Sequence, residues 1–238
     1  MISDGVAIVT GGSLGIGLAA VQALAGRGMT VVSMARDSAR NEASVAPLGG
    51  KAVAMSGDVS TEADVKRVIA ATVERLGRLD VVVNAAGGSM TARRRLADTD
   101  SAEWHRLIDI NLTGTYLMCR EALPHLEKSP DGYILNIQST GAYVASAGNS
   151  LYQASKFGVR ALSEALIDEY RNSSVRISSV SPGPVDTNIW NHKLKPPDAR
   201  RRALMMRPAD IADILVWLLD RPRRLHIPNI TVTPWTGI

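Results

Sequence analysis

Short apolar runs alternate with helix-length amphipathic segments along the chain from residue 6 to residue 233. Val6-Ala-Ile-Val-Thr10 predicts a strand, the stretch 15–27 a helix, and Thr30-Val-Val-Ser-Met34 a second strand. A short polar segment leads to Lys51-Ala-Val-Ala-Met55, a third strand. The helix expected over 61–76 then carries Val65, Val68, Ile69, Val73 and Leu76 on one face. Leu79-Asp-Val-Val-Val83 is apolar at nearly every position, the pattern of a strand covered by helices on both sides. A long helix over 101–127 precedes Tyr133-Ile-Leu-Asn-Ile137; a helix around Tyr152, a strand over 175–180, a helix over 209–219 and a strand over 230–233 complete the series. Repeated βα units specify an α/β fold, a mostly parallel sheet with helices on both faces joined by right-handed crossovers. Ligands of such sheets bind beyond the carboxyl ends of the strands. No linker or internal repeat interrupts the alternation, and the prolines at 182, 184, 196 and 197 mark loops, so one domain is expected over 1–238.

Composition narrows this picture. A chain of 238 residues can bury a full core, and with 45% hydrophobic residues but one phenylalanine that core rests on Val, Ile, Leu, Ala and Met. Cys119 is the sole cysteine, which excludes an intrachain disulfide and a cysteine-based zinc site and makes a reducing compartment the default. The first five residues carry no basic leader, and no apolar stretch approaches the roughly 18 residues of a membrane span, so cytoplasmic residence is expected. The net charge of +4 raises nucleic acid as a partner, with basic runs at 93–95, 200–202 and 221–224. No nucleic-acid-binding motif and no interleaved aromatic accompanies these runs, and solvated surface explains them, with the second run bordering a substrate entrance. The histidines at 105, 125, 192 and 226 lack metal-ligand spacing, and no metal site is expected.

Three segments at strand ends carry candidate chemistry. At the first strand–helix junction stands Thr10-Gly-Gly-Ser-Leu-Gly-Ile-Gly17, where glycines permit a tight turn and close approach by a pyrophosphate, and the helix start supplies N–H donors. Its Gly-x3-Gly-x-Gly spacing differs from the Gly-x-Gly-x2-Gly dinucleotide fingerprint, so a turn without a ligand stays open. After the second strand the chain reads Met34-Ala-Arg-Asp37. Ala35 takes the place where an acid would select NAD, and Arg36 offers a guanidinium suited to the extra phosphate of NADP, with Ser13 adding a hydroxyl. NADP is favoured over NAD; Asp37 and an exposed loop arginine are the competing readings. Finally, Tyr152 and Lys156 lie four residues apart on one helix face, downstream of Ser139, so a phenol and an ammonium share a cleft and the cation favours phenolate. Alone, the pair also fits a solvated helix face.

Taken together, Thr10-Gly-x3-Gly-x-Gly17, Asn84-Ala-Ala-Gly87, Asn111, Ser139, Tyr152-x3-Lys156 and Pro182-Gly183 resemble the short-chain dehydrogenase/reductase family in order and spacing over nearly the whole chain. The resemblance implies a Rossmann-type, doubly wound, seven-stranded parallel sheet and NAD(P)-dependent hydride transfer to or from a carbonyl or alcohol carbon. By that resemblance Tyr152 is the general acid/base, Lys156 lowers its pKa and holds the nicotinamide ribose, Ser139 bonds the substrate oxygen, and Asn111 helps hold a proton-reloading water. The implied cofactor contacts are Gly11, Ser13, Leu14, Gly15, Ile16 and Gly17 in the turn, Arg36, Asp58 and Val59 near the adenosine, Asn84, Ala86 and Gly87 after the fourth strand, and Pro182, Gly183, Val185 and Thr187 at the nicotinamide. Asp58 also reads as a helix cap, and Asn111 as a buried residue at a helix irregularity.

Two departures stand out. Ala85 replaces an asparagine common in the family, and the ending His226 to Ile238 lacks the family's acidic residue before two glycines, resembling instead certain NADP-preferring reductases. The loops after the fourth, fifth and sixth strands are expected to wall the substrate pocket, with Met90, Tyr143 and Trp190 as contacts and 187–206 as a lid. Lys193, Lys195 and Arg200 to Arg202 fall at its rim, as solvated charge or for an anionic substrate. Apolar Phe157, Ala161, Leu162, Ala165 and Leu166 exceed one core-facing stripe and, with the family's helix-pairing habit, predict a homotetramer or homodimer. The leading function is an NADP(H)-dependent carbonyl reductase or alcohol dehydrogenase. An epimerase or dehydratase on the same fold, and a non-catalytic NADP-sensing protein, are the alternatives.

Overall fold

The computed structural model describes residues 4–236. Seven parallel strands lie in the order β3-β2-β1-β4-β5-β6-β7. They are β1 (Val6–Thr10), β2 (Thr30–Ala35), β3 (Ala52–Ser56), β4 (Val81–Asn84), β5 (Gly132–Ile137), β6 (Val175–Pro182) and β7 (Asn229–Val232). The order reverses at β1, where the chain leaves β3 at one edge and returns as β4, opening a crevice beyond the carboxyl ends of β1 and β4.

The central strands read as unbroken apolar runs because both of their faces are covered. A period of two still sorts their side chains. On one face Ala7, Val9, Val81, Val83, Tyr133, Leu135 and Val180 pack against the helices α1 (Gly15–Gly26) and α8 (Pro208–Leu219). On the other, Ile8, Val82, Ile134 and Ile177 meet α3 (Glu62–Leu76), α5 (Gly114–Leu126) and α6 (Ser150–Glu169). Each fully buried Val, Leu or Ile among them contributes about 1.5–3 kcal/mol relative to exposure. Cys119 lies in this second layer, where burial pushes its thiol up to about 12, a chemically quiet group.

Sequence periodicity missed α2 (Ser38–Val45), which replaces the expected polar segment. Only Asn41 and Val45 of this helix are buried, too few to print a period, and its start is fixed by Asp37, whose carboxylate accepts from Arg40 N at 3.0 Å. The expected helix over 101–127 is three pieces: α4 (Ser101–Ile108), a π-helical turn Asp109–Thr113, and α5. Segment 187–206 holds a short 3-10 turn, Asn188–His192, and α7 (Ala199–Ala203). The apolar surplus of α6 is smaller than its sequence suggests. Leu162 and Leu166 pack into the core, while Phe157, Ala161 and Ala165 are exposed. Met1 to Ser3 and the final Gly237 and Ile238, on which the leader and tail readings partly rest, lie outside the described residues.

Candidate active site

Helix α6 brings Tyr152 and Lys156 onto one face, as four-residue spacing requires. Ser139 follows β5 in extended backbone; its Oγ accepts from Gly141 N at 3.0 Å and lies beside the Tyr152 phenol, whose pKa it lowers. Lys156, 6% exposed, donates from Nζ to the carbonyl of Ile137 at 3.1 Å, and burial lowers its pKa to about 8. The expected depression of the phenol by this ammonium is not the local balance. Burial raises the Tyr152 pKa, and Ser139 offsets only part of that rise. The lysine's hydrogen bond goes to the strand carbonyl instead of the phenol.

Asn111 sits in the π turn, a local widening that aims its side chain at the β4 loop. Its Oδ1 accepts from Gly88 N at 2.8 Å, and its Nδ2 donates to Gly88 O at 3.1 Å and Ser155 Oγ at 2.9 Å. Ser155 in turn donates to Tyr152 O at 2.7 Å. Asn111 therefore ties the loop after β4 to α6, which also realises the irregularity reading. Sequence reasoning missed Ser155, buried between Tyr152 and Lys156; its place next to Lys156 was the available signal. Gly87 approaches closely, since a Cβ there would stand 3.0 Å from Asn111 Oδ1 and 3.8 Å from Lys156 Nζ.

The glycine turn faces this group across the crevice. Gly15 has φ +55°, and an added Cβ would meet Thr187 Cγ2 at 3.2 Å, so the turn after β1 and the segment after β6 converge. Thr10 Oγ1 accepts from Ala85 N at 3.1 Å and Ala86 N at 3.0 Å, clamping the turn after β4, and alanine at 85 leaves that clamp intact. Helix α1 starts at Gly15 after Leu14, which supplies no side-chain cap, so the first-turn N–H groups of Gly15, Ile16 and Gly17 face the crevice without one. Asn84 spans β4 to β5 through Nδ2 to Asn136 Oδ1 at 2.8 Å, while its buried Oδ1 has no partner. An uncapped helix start, a glycine cradle and an orphaned acceptor fit a dinucleotide.

The residues expected near an adenosine lie at the ends of β2 and β3. Arg36 is largely exposed and lies 3.9 Å from Asp58. Asp37 is committed to the α2 cap and to Arg40 at 2.9 Å. Asp58 Oδ1 accepts from Ser60 N at 2.9 Å and Ser60 Oγ at 2.7 Å, closing its own turn, while Thr61 is the residue before α3. The Val59 side chain is buried in the core against Gly114. Ser13 is buried beside α2, its carbonyl accepting from Ser44 Oγ at 3.2 Å. At the other end Pro182 closes β6, Gly183 N donates to Val232 O at 2.7 Å, and Val185 is a core residue.

The three expected substrate contacts differ in position. Met90 is buried with Leu107 and Leu151 in a cluster against which Tyr152 packs. The Tyr143 ring is covered by the Arg160 guanidinium at 4.3 Å. Trp190 is partly exposed and fixed by Nε1 donating to Val185 O at 2.8 Å. Among the described residues no group of His, Cys, Asp or Glu is placed to hold a metal ion, and no helix is long and apolar enough to cross a membrane.

A nucleotide cradle at a sheet's switch point, opposed by a Ser–Tyr–Lys group, defines a nucleotide-dependent α/β oxidoreductase. The family model described as short chain dehydrogenase matches residues 5–197, and the chain belongs to that family. An uncharacterised oxidoreductase of Staphylococcus saprophyticus is 31% identical over 243 residues, covering 98% of each chain. A serine dehydrogenase complexed with NADP+ superposes with a TM-score of 0.89 at 25% identity, covering 95% of this chain and 94% of that one. A 3-ketoacyl-(acyl-carrier-protein) reductase from Brucella melitensis complexed with NADH gives 0.89 at 26% identity over 99% of each.

Proposed function

We propose that this oxidoreductase moves hydride between NADP(H) and a carbonyl or alcohol carbon, with Tyr152 as the acid in reduction and the base in oxidation. The observation that carries the reading is the Ser139 hydroxyl beside the Tyr152 phenol, with the desolvated Lys156 on the same helix face as Tyr152. The bound nicotinamide supplies or accepts the hydride. In reduction the Tyr152 phenol gives its proton to the substrate oxygen, and the Ser139 hydroxyl donates to that oxygen as negative charge gathers there. Lys156 places a cation beside the site without spending it on a carboxylate. Asn111 and Ser155 position the helix, and Gly87 leaves room for a ligand above Lys156.

Cofactor choice follows from the second strand's end. Ala35 offers no acceptor to a ribose hydroxyl, Asp37 is occupied by the α2 cap and Arg40, and Arg36 extends into solvent where a 2′-phosphate would meet it. These features support NADP over NAD, as does the serine dehydrogenase complexed with NADP+. The intact Ser139, Tyr152 and Lys156 set favours turnover over a sensing role. Within one domain, segment 187–206 serves as the substrate loop. Exposed Phe157 on α6 and Tyr116 on α5 support pairing with a second copy, and a lone buried thiol suits the cytoplasm. Stopped-flow oxidation of NADPH and NADH against ketones, aldehydes and 3-oxo thioesters tests the reading; tight nucleotide binding with no oxidation by any of them would overturn it.

A further inference from the structure

Segment 187–206 is anchored at both ends of a span. At its base Val185 bridges to Met206, Asp186 N donates to Met206 O at 2.8 Å, and Arg202 pairs with Asp186 at 3.1 Å. At its tip Leu194 N donates to Thr91 O at 3.0 Å, and Lys193 Nζ donates to Ser89 Oγ at 2.8 Å and to Met90 O. The base belongs to the chain leaving β6, and the tip rests on the loop leaving β4. Because β5 lies between β4 and β6, the segment crosses beyond the end of β5, where Ser139 stands.

Lys193 is therefore brought to the mouth of the candidate active site, and its surroundings are unusual for a lysine. It is half-buried, it pairs with no carboxylate among the described residues, and it lies 5.8 Å from the centre of the anchored Trp190 ring. The charges that reach it are Glu103 on one side and Arg93 and Arg106 on the other. Glu103 is already engaged, accepting from Thr91 N at 3.0 Å and from Arg94 at 3.3 Å, with Arg106 at 3.8 Å. Burial lowers the Lys193 pKa, as expected for a cation short of counter-charge. An ammonium has three N–H donors, and two are used on neutral oxygens, which leaves one for a ligand. A single donor on a point charge suits one carboxylate oxygen better than the many acceptors of a phosphate.

We infer that Lys193 is a specificity-determining residue that selects carbonyl or alcohol substrates bearing a carboxylate on the same small molecule. The inference rests on the hydride-transfer reading for the location of the reacting carbon, but its test does not depend on turnover. The enzyme loaded with NADPH is titrated calorimetrically with 2-hydroxypentanoate, 3-hydroxypentanoate and 4-hydroxypentanoate and with their methyl esters. An alcohol beside a reduced nicotinamide has no hydride acceptor, so only binding is read. The expected result is a preference of about tenfold or more for at least one acid over its ester. Lys193→Gln should erase that preference by weakening the acid alone, and Lys193→Arg should restore part of it. Absence of any preference in the wild type, its persistence in Lys193→Gln, or equal weakening of acid and ester would each overturn the inference. NADPH oxidation with neutral ketones, run on the same preparation, separates the two ideas. Turnover without an acid preference removes only the role of Lys193; an acid preference with no turnover of any carbonyl removes only the hydride-transfer reading.

Discussion

Lys156 and Lys193 each donate from an ammonium to a backbone carbonyl, Ile137 O in one case and Met90 O in the other, and burial holds both below the ordinary lysine pKa. Their settings differ. Lys156 is fixed by the period of a 20-residue helix, and desolvation alone takes it to about 8. Lys193 is fixed by docking of an irregular loop, and Glu103, Arg93 and Arg106 all act on it. A charge held by a helix in neutral surroundings is prepared for one fixed neighbour. A charge held by a loop among other cations is prepared for a ligand that brings its own counter-charge.

The largest effect should come from the helix side. Tyr152→Phe removes the phenolic proton and should lower kcat by roughly 10²–10⁴-fold while NADPH affinity is retained, as single-turnover and fluorescence titrations would read. Retained turnover would refute the assigned acid. The raised phenol pKa also fixes the shape of the pH profile. Reduction needs the protonated form, so its rate should hold through neutral pH and fall on the alkaline side, and oxidation should show the opposite trend.

Next in size is a stability effect that the lowered Lys156 pKa implies. Lys156 has a folded pKa below its unfolded value, so below about 8 both states carry the proton and the full cost of the buried charge is present, on the order of 3 kcal/mol. Between about 8 and 10.5 the unfolded chain keeps a proton that the fold has released, so this contribution to stability rises with pH. Nucleotide-free Lys156→Met should therefore be more stable than wild type at neutral pH and lose that advantage by pH 10.5, the lysine's ordinary value. Urea unfolding of both proteins at the two ends of that window checks this; a difference that does not change with pH would rule out the buried ammonium as its cause.

The same contrast explains what the chain disclosed in advance. Tyr152, Lys156 and Ser139 were legible because helix spacing and a strand end determine where they go, and the seven strands were legible because short β-branched and apolar runs alternate with helix-length segments. Met90, expected among the substrate contacts, packs where the sequence could not place it, because a loop residue's facing depends on neighbours far away in sequence, here Leu107 and Leu151. Lys193 was seen only as rim charge, since its bonds to Ser89 and Met90 span more than 100 residues of separation. Helix α2 escaped because its signal is a cap at Asp37 and not a stripe. Local periodicity writes positions into the sequence; docking between loops does not.

Arg36 gives the smallest effect and a third kind of cation, one left in water. Its side chain is 69% exposed and its contact with Asp58 spans 3.9 Å, so replacing it should leave folding stability unchanged. Arg36→Ala should weaken NADPH by about tenfold, the scale of one charge-assisted phosphate contact, and leave NADH affinity nearly as it was. Because the guanidinium is solvated, its contribution should shrink as salt rises from about 0.05 M to 0.5 M, whereas the effect of Lys156→Met on stability should barely respond. Fluorescence titrations of both nucleotides across that range check the two halves together. Equal loss of NADPH and NADH would count against the cofactor assignment, and a salt-independent loss would mean that Arg36 is drawn into a desolvated contact and belongs with Lys156 on the buried side of the comparison.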